Sequence, residues 1–260
     1  MWRKKVELVV NDLLNYENIK IVQSKEMFNF SLDSILLPNF VNLNKSVSKI
    51  LDIGTGNAPI PLILYRKTTA KIDAVEIQKE VYELALKSID MNNFSDRISV
   101  FNCDIRDFAL KCESDTYDVI TCNPPFFNTN QEGNFNKSSA KKIARHETQL
   151  NLEIIFMVAK KILKNKGKIA IVHRSDRLVD IIFKMRKHNI EPKKIMLVYP
   201  KHGKNSNIVL VEGSKNGGPG LTINDPLYVH EDDGSYSEQV KKYFGWWYYQ
   251  KIIFNSNANR

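Results

Sequence analysis

The stretch LDIGTGNAP, residues 51–59, decides the predicted fold because it joins a strand to a helix through a glycine turn. The apolar run at residues 47–53 is typical of a buried strand in a parallel sheet. Gly54 and Gly56 let the backbone turn sharply and approach a ligand with no Cβ in the way. A helix predicted over residues 59–67 points its first amide groups at the same place. The stretch therefore predicts a ligand-binding turn at the carboxyl end of a core strand.

Two residues beside this turn indicate which ligand it suits. A dinucleotide site would have a third glycine three positions after Gly56, and Pro59 stands there instead. The carboxylate of Asp52 would repel a phosphate group but suits the amino group and sulfonium charge of S-adenosylmethionine. The turn thus favours S-adenosylmethionine, and it disfavours the alternative of a nicotinamide-dependent dehydrogenase.

The next two predicted strands each lead to a carboxylate. The strand KIDAVE at residues 71–76 ends in Glu76, where a bidentate acceptor for the two ribose hydroxyls is expected. Asp104 follows the strand after that and could accept a hydrogen bond from the adenine amino group of the cofactor. We expect Ile77 and Ile105 to enclose the adenine ring. For both carboxylates the alternative is a helix N-cap, and for Asp104 the two interpretations are equally balanced.

The stretch NPPF, residues 123–126, follows the strand predicted over residues 117–122. Two prolines cannot donate backbone hydrogen bonds, so the strand ends there, and the residue before a proline is held extended. The side-chain oxygen of Asn123 and the carbonyl of Pro124 can accept both protons of an exocyclic amino group. The ring that bears this group would stack on Phe126. The alternative is a loop in which the prolines only set a turn.

Further candidate substrate contacts lie in and after this motif: Pro125, Phe127, Lys141, Lys142 and Arg145. The basic members would meet phosphate groups if the substrate is a nucleic acid. An ordinary solvated helix face is the alternative interpretation of this basic run.

Composition narrows the class of protein. The 260 residues, 30.0 kDa, carry a net charge of +9, which favours a polyanionic partner such as nucleic acid, although a general compositional bias would have the same effect. Three cysteines form no CxxC pair, so we expect reduced thiols and no metal site. Apolar runs are too short to span a bilayer, and the start of the chain does not resemble a signal peptide. We expect a cytoplasmic protein without a membrane partner.

The domain prediction has three parts: an N-terminal cap at residues 1–45, a core domain at 46–213 and a C-terminal extension at 214–260 packed on the core. Within the cap, Ser31 or Asp33 is predicted to begin a helix that could close over a cofactor or serve only for packing.

Several of these stretches together resemble a known group. The strand with DIGTG at residues 52–56, Glu76, Asp104 and NPPF resembles the class I S-adenosylmethionine-dependent methyltransferases. More closely, the chain resembles the tRNA1(Val) adenine-37 N6-methyltransferase family over most of residues 28–240. That closer resemblance rests on FSLDSILL at 30–37, LDIGTGNAPIPL at 51–62, CNPPFF at 122–127, ARHE at 144–147, and PLYVH with GSYS near the end.

This resemblance implies an α/β, Rossmann-like fold with a seven-stranded, mostly parallel sheet and helices on both faces. It implies transfer of a methyl group to N6 of an adenine in tRNA. The residues implied for the methyl donor are Asp52, Gly54, Gly56, Glu76 and Asp104, with Asn123 bordering both sites. Those implied for the adenine are residues 123–126. Family members often have tyrosine at the position of Phe126, and phenylalanine keeps the stacking face.

Other functions stay open at this point. The same motif occurs in enzymes that methylate a DNA adenine or a protein glutamine, and a non-catalytic RNA-binding protein could retain the fold. The sequence does not identify the tRNA, the oligomeric state (a monomer is one alternative), the role of residues 1–27, or whether the aromatic C-terminal tail touches RNA.

Overall fold

The computed structural model describes residues 7–13, 18–24, 31–125 and 150–244. Five predicted site residues lie outside these ranges, and their roles stay predictions: Phe126, Phe127, Lys141, Lys142 and Arg145.

Strands and helices alternate through most of the described chain, as a parallel sheet with crossover helices requires. The strands are β1 (Leu8–Asp12), β2 (Lys20–Ser24), β3 (Lys49–Ile53), β4 (Lys71–Glu76), β5 (Ile98–Asn102), β6 (Tyr117–Cys122), β7 (Leu163–Arg174), β8 (Ile190–Lys201), β9 (Ile208–Lys215), β10 (Thr222–Ile223) and β11 (Leu227–His230). The helices are α1 (Asp33–Phe40), α2 (Pro59–Lys67), α3 (Lys79–Met91), α4 (Ile105–Lys111), α5 (Leu152–Ile162), α6 (Leu178–Lys187) and α7 (Glu238–Tyr243).

The central sheet contains the seven predicted strands in the order β8-β9-β7-β6-β3-β4-β5. Strand β9 runs antiparallel to both of its neighbours, and the other pairs in this order are parallel. The predicted α/β class with a mostly parallel sheet is confirmed. Strands β10 and β11 pair with β8 and enlarge the described sheet to nine strands.

Alternate residues of the strands supply two hydrophobic clusters, because neighbouring side chains on a strand point to opposite faces. On β7, Ala170 and Val172 face one cluster with α1, α2, α3 and α7, whereas Ile169 and Ile171 face the other. The second cluster contains apolar residues of α4, α5 and α6. The sheet is therefore covered by helices on both faces, as predicted.

Strands β1 and β2 form a separate antiparallel hairpin. Its second strand is tied to the ligand-binding turn, because the Asn57 side-chain amide donates to the Val22 carbonyl oxygen at 2.9 Å. The amide of the same residue, Val22, donates to Ser88 Oγ on α3 at 3.0 Å. Part of the N-terminal region thus contacts the turn.

Strand pairing and hydrogen bonds cross both boundaries between the three predicted parts. Strand β9 ends at Lys215, beyond the predicted limit at residue 213, and β11 continues the core sheet beside β8. Across the predicted boundary at residue 45, the Asn42 amide donates a hydrogen bond to Glu212 Oε2 at 2.9 Å. The division at residues 45 and 213 stays a prediction. No helix in the described ranges is long and apolar enough to cross a membrane.

Candidate active site

The candidate site lies where the carboxyl ends of β3, β4 and β6 meet. In the ladder between β3 and β6, Asp52 is opposite Thr121 and Ile53 is opposite Cys122. Gly54 and Asn123 therefore leave the sheet side by side, at a strand separation of about 4.8 Å. The crevice at the carboxyl ends of parallel strands is where ligands bind in open α/β sheets.

The turn after β3 has a strained, left-handed backbone. Gly54, Gly56 and Ala58 have φ angles of 67°, 61° and 71°, of which only the glycines adopt such values at little cost. A Cβ built on Gly56 would meet nothing within 4 Å, so the backbone there borders open space. The sequence predicted a sharp turn at the two glycines but not the left-handed conformation of Ala58, because nothing about an alanine residue indicates a positive φ. Pro59 begins α2 and supplies no amide proton.

Asp52 is fully buried beneath this turn. Its Oδ1 accepts a hydrogen bond from Thr121 Oγ1 at 2.6 Å, and its Oδ2 has no hydrogen-bond partner among the described residues. Burial, with a smaller contribution from the charge of Glu76, raises the pKa of Asp52 to about 7, and the nearby hydroxyls of Thr121 and Thr55 only partly offset that rise. A buried carboxylate oxygen without a partner is costly unless a positive group meets it. Asp52 thus fits the cationic amino-acid end of S-adenosylmethionine.

Glu76 holds the turn from the neighbouring strand. Its Oε2 accepts from the Gly56 amide at 3.0 Å, and its Oε1 accepts from the Gln78 amide at 2.8 Å. A carboxylate has about four acceptor positions, so these two bonds are compatible with added hydroxyl donors. Asn102, which sequence reasoning missed, donates to the carbonyl oxygens of Glu76 and Ile77 at 2.8 and 3.1 Å. Glu76 therefore lies next to the glycine turn, where a ribose acceptor was predicted.

Asp104 has a local partner. It is the N-cap of α4, and its Oδ1 accepts from the Arg106 amide at 2.8 Å. The Arg106 guanidinium also bonds both carboxylate oxygens, at 2.9 and 2.6 Å, and lowers the pKa of Asp104. The N-cap interpretation is confirmed, and the contact with adenine stays a prediction. Of the two predicted ring contacts, Ile77 is 38% exposed and Ile105 is buried in the second cluster.

Asn123 is held by a residue that the sequence did not single out. Its Nδ2 donates to Ser34 Oγ on α1 at 3.1 Å. The predicted capping role of Ser31 or Asp33 is wrong, because Leu32 occupies the N-cap of α1 without a side-chain hydrogen bond and Ser31 bonds Asp33 instead. After Asn123 the chain continues with Pro124, which is buried, and Pro125, which is exposed. The amide-and-proline end of the motif thus borders the turn.

Metal ligands and disulfides do not contribute to the described site. Cys103, Cys112 and Cys122 are free thiols, and burial raises the pKa of Cys122 well above its usual value. The described residues contain no group of three or more His, Cys, Asp or Glu side chains that could hold a metal ion.

Comparison with known proteins identifies the family. The profile of the methyltransferase small domain matches residues 18–188, well over half of the chain. The chain belongs to the methyltransferase small domain family. Its fold, the glycine turn and the buried Asp52 agree with that membership, and the predicted cofactor, S-adenosylmethionine, is confirmed with it.

Two curated relatives of this methyltransferase carry the same name. A protein of Flavobacterium psychrophilum, named tRNA1(Val) (adenine(37)-N6)-methyltransferase, is 30% identical over 161 residues, which are 62% of this chain and 67% of that protein. A protein of Tolumonas auensis with the same name is 29% identical over 234 residues, which are 86% of this chain and 91% of that protein. The family resemblance read from the sequence is confirmed.

Solved structures show the same fold. A protein from Agrobacterium tumefaciens described as a predicted O-methyltransferase superposes with a TM-score of 0.64 at 21% identity, covering 82% of this chain and 95% of that one. TYW2 of P. horikoshii, solved in complex with MeSAdo, superposes with a TM-score of 0.56 at 15% identity, covering 83% of this chain and 74% of that one. The class I methyltransferase architecture is thereby established.

Proposed function

We propose that this S-adenosylmethionine-dependent methyltransferase methylates N6 of an adenine in tRNA, with position 37 of tRNA1(Val) as the specific target. The observation that carries the proposal is the position of Asn123, adjacent to the glycine turn and bonded through its amide nitrogen to Ser34. The names of the curated relatives and the net charge of +9 support tRNA as the acceptor.

S-adenosylmethionine supplies an electrophilic methyl group on a positively charged sulfur, and when the N–C bond forms the electrons of the broken C–S bond would stay with that sulfur, which leaves as a neutral thioether. Asp52, Gly54, Gly56 and Glu76 would hold it, through a buried carboxylate for its cationic end and an acceptor for its ribose. Asp104, Ile77 and Ile105 stay candidates for its adenine.

Asn123 and Pro124 would prepare the acceptor. An aromatic amine is a poor nucleophile because its lone pair is delocalised into the ring. Asn123 Oδ1 and the Pro124 carbonyl can accept one amino proton each and draw the nitrogen toward tetrahedral geometry. The same two oxygens stabilise the positive charge that develops on this nitrogen during attack. The surplus proton on the alkylated nitrogen is acidic and can leave to water, so no general base is needed.

Removal of the amide provides the test. We expect Asn123→Ala to lower methyl transfer by at least about a hundredfold, the usual cost of removing one preorganised polar group from a reacting centre. Donor affinity, measured by calorimetry, should stay close to that of the unchanged protein. Asn205→Ala, in an exposed loop, is the matched control and should keep full activity.

Substrate identity needs a separate measurement. Tritiated methyl transfer to bulk tRNA, DNA and protein separates the proposed acceptor from a DNA adenine or a protein glutamine. Mass spectrometry of tRNA nucleosides should then show N6-methyladenosine. Donor binding without transfer to any acceptor would instead favour a non-catalytic RNA-binding protein, and near-normal transfer by Asn123→Ala would refute the amide's role.

A further inference from the structure

The hydroxyl of Ser34 is the described partner of the Asn123 side chain. The two residues lie 89 positions apart, and Ser34 Oγ accepts from Asn123 Nδ2 at 3.1 Å. Ser34 is 5% exposed, so solvent competes little for this bond. The contact joins the N-terminal helix α1 to the end of β6.

This bond restrains the carboxamide of Asn123, with Nδ2 toward Ser34 Oγ. A carboxamide carries its donor nitrogen and its acceptor oxygen on opposite branches of one planar group. With Nδ2 bonded to Ser34 Oγ, Oδ1 points away from that hydroxyl. A serine hydroxyl can also donate, so Ser34 holds the carboxamide in place, and the need of an incoming amino group for an acceptor selects this orientation. The reversed amide would present two donors to an incoming amino group, which itself offers mainly donors, and binding would be lost.

Helix α1 is itself held firmly at its carboxyl end. Lys194 Nζ on β8 donates to the Phe40 carbonyl oxygen at 2.6 Å, and Glu212 Oε2 on β9 accepts from the Asn42 amide at 2.9 Å. From α2, Lys67 Nζ donates to Asn39 Oδ1 at 2.9 Å. These contacts keep the helix, and hence Ser34, at a fixed place relative to β6.

We infer that Ser34 is a positioning residue that orients the Asn123 amide so that Oδ1 accepts a proton of the reacting amino nitrogen. This inference rests on the proposed function of Asn123 but holds for any acceptor amine or amide. Ser34 acts through Asn123 and need not touch the substrate.

The test compares Ser34→Ala with Ser34→Thr, which keeps a hydroxyl. We expect Ser34→Ala to lower kcat by about tenfold to about a hundredfold, because misorientation of a reacting group costs up to about that much. The Kd for S-adenosylmethionine, measured by calorimetry, and the melting temperature should change little. Ser34→Thr should recover most of the rate. Ser31→Ala, which removes a hydroxyl bonded to Asp33 on the same segment, is the matched control and should retain full activity.

Three outcomes would overturn the inference. They are an unchanged kcat in Ser34→Ala, a loss of rate that follows a parallel loss of donor affinity or stability, and a failure of Ser34→Thr to recover rate while it folds and binds the donor normally. The acceptor assayed is whichever of tRNA, DNA and protein the unchanged enzyme methylates. Methylation of DNA or protein only would refute the proposed tRNA function and leave the test of Ser34 intact. Transfer to none of them would overturn both.

Discussion

At the scale of single residues, Asp52 links the fold to the chemistry of the donor. It is buried because β3 is covered on both faces, and only one of its carboxylate oxygens has a hydrogen-bond partner in the described structure. Thr121 fixes the orientation of that carboxylate from the neighbouring strand. Burial disfavours the ionised form of this carboxyl group, and a cationic ligand beside it would stabilise that form.

Donor binding should therefore depend on pH. The pKa of Asp52 is raised to about 7 from 3.8, so the side chain is mostly neutral at pH 5.5 and mostly ionised at pH 7.5. An α-amino group stays mostly protonated through this range, since its usual pKa is about 7.7–8.0. We expect the affinity for S-adenosylmethionine, measured by calorimetry, to rise by about tenfold between these pH values.

Asp52→Asn is the control for this pH dependence. It should bind the donor more weakly and with a flat profile over the same range; an equally steep profile in the variant would assign the titration to another group. In the donor-free protein the same raised pKa makes the contribution of Asp52 to stability greatest at acid pH. That contribution is lost as the pH rises through about 7.

At the scale of elements, α4 shows how a short helix begins. Asp104 accepts from the Arg106 amide and pairs with its guanidinium, so one side chain satisfies an amide at the helix start and complements the helix dipole. The ion pair is partly exposed and contributes little beyond the cap.

Capping predicts a clear order of stability among variants of Asp104. Asp104→Ala should lower the free energy of unfolding, measured in urea, by about 1 kcal/mol, whereas Asp104→Asn should keep most of it because asparagine also caps helices. Asp107→Ala, an exposed acidic residue in the same first turn, is the comparison and should cost less. Equal losses in the Ala and Asn variants of Asp104 would contradict the capping account.

At the scale of the whole molecule, Glu212 on β9 connects the sheet to the N-terminal segment that contains α1. It is almost fully buried, accepts from the Asn42 amide, and lies 3.8 Å from the ammonium of Lys194. Lys194 in turn bonds the Phe40 carbonyl oxygen and lies over the Phe40 ring at 4.1 Å. This cluster secures α1, and through it Ser34, to the sheet.

Loss of this connection should destabilise the protein. We expect Glu212→Ala to lower the free energy of unfolding in urea by about 2 kcal/mol, because it removes a buried charged acceptor from an amide and from Lys194. Glu212→Gln keeps an acceptor for the Asn42 amide and should lose less. Glu191→Ala, which breaks the surface pair with Arg186, should cost less than about 1 kcal/mol. Equal losses in the free energy of unfolding for Glu212→Ala and Glu191→Ala would contradict a stabilising role for the buried contacts of Glu212.

The sequence by itself determined the alternating elements, the glycine turn, and the placement of Asp52, Glu76 and Asn123 at or after the carboxyl ends of three strands. These follow from local patterns, because periodicity sets the type of element and parallel strands bring their carboxyl ends to one edge. The sequence also left two interpretations of Asp104 open. The structure confirmed the N-cap interpretation, because only the folded start of α4 brings the Arg106 guanidinium to the carboxylate of Asp104.

Only the tertiary structure decided which distant side chains support the site. The bonds from Asn123 to Ser34 and from Asn57 to the Val22 carbonyl join segments 89 and 35 positions apart. No local pattern encodes such pairs, since they depend on how α1 packs against the sheet and how the β1-β2 hairpin packs against α3 and the glycine turn. The left-handed Ala58 has the same origin, because its surroundings, rather than its residue type, impose that conformation.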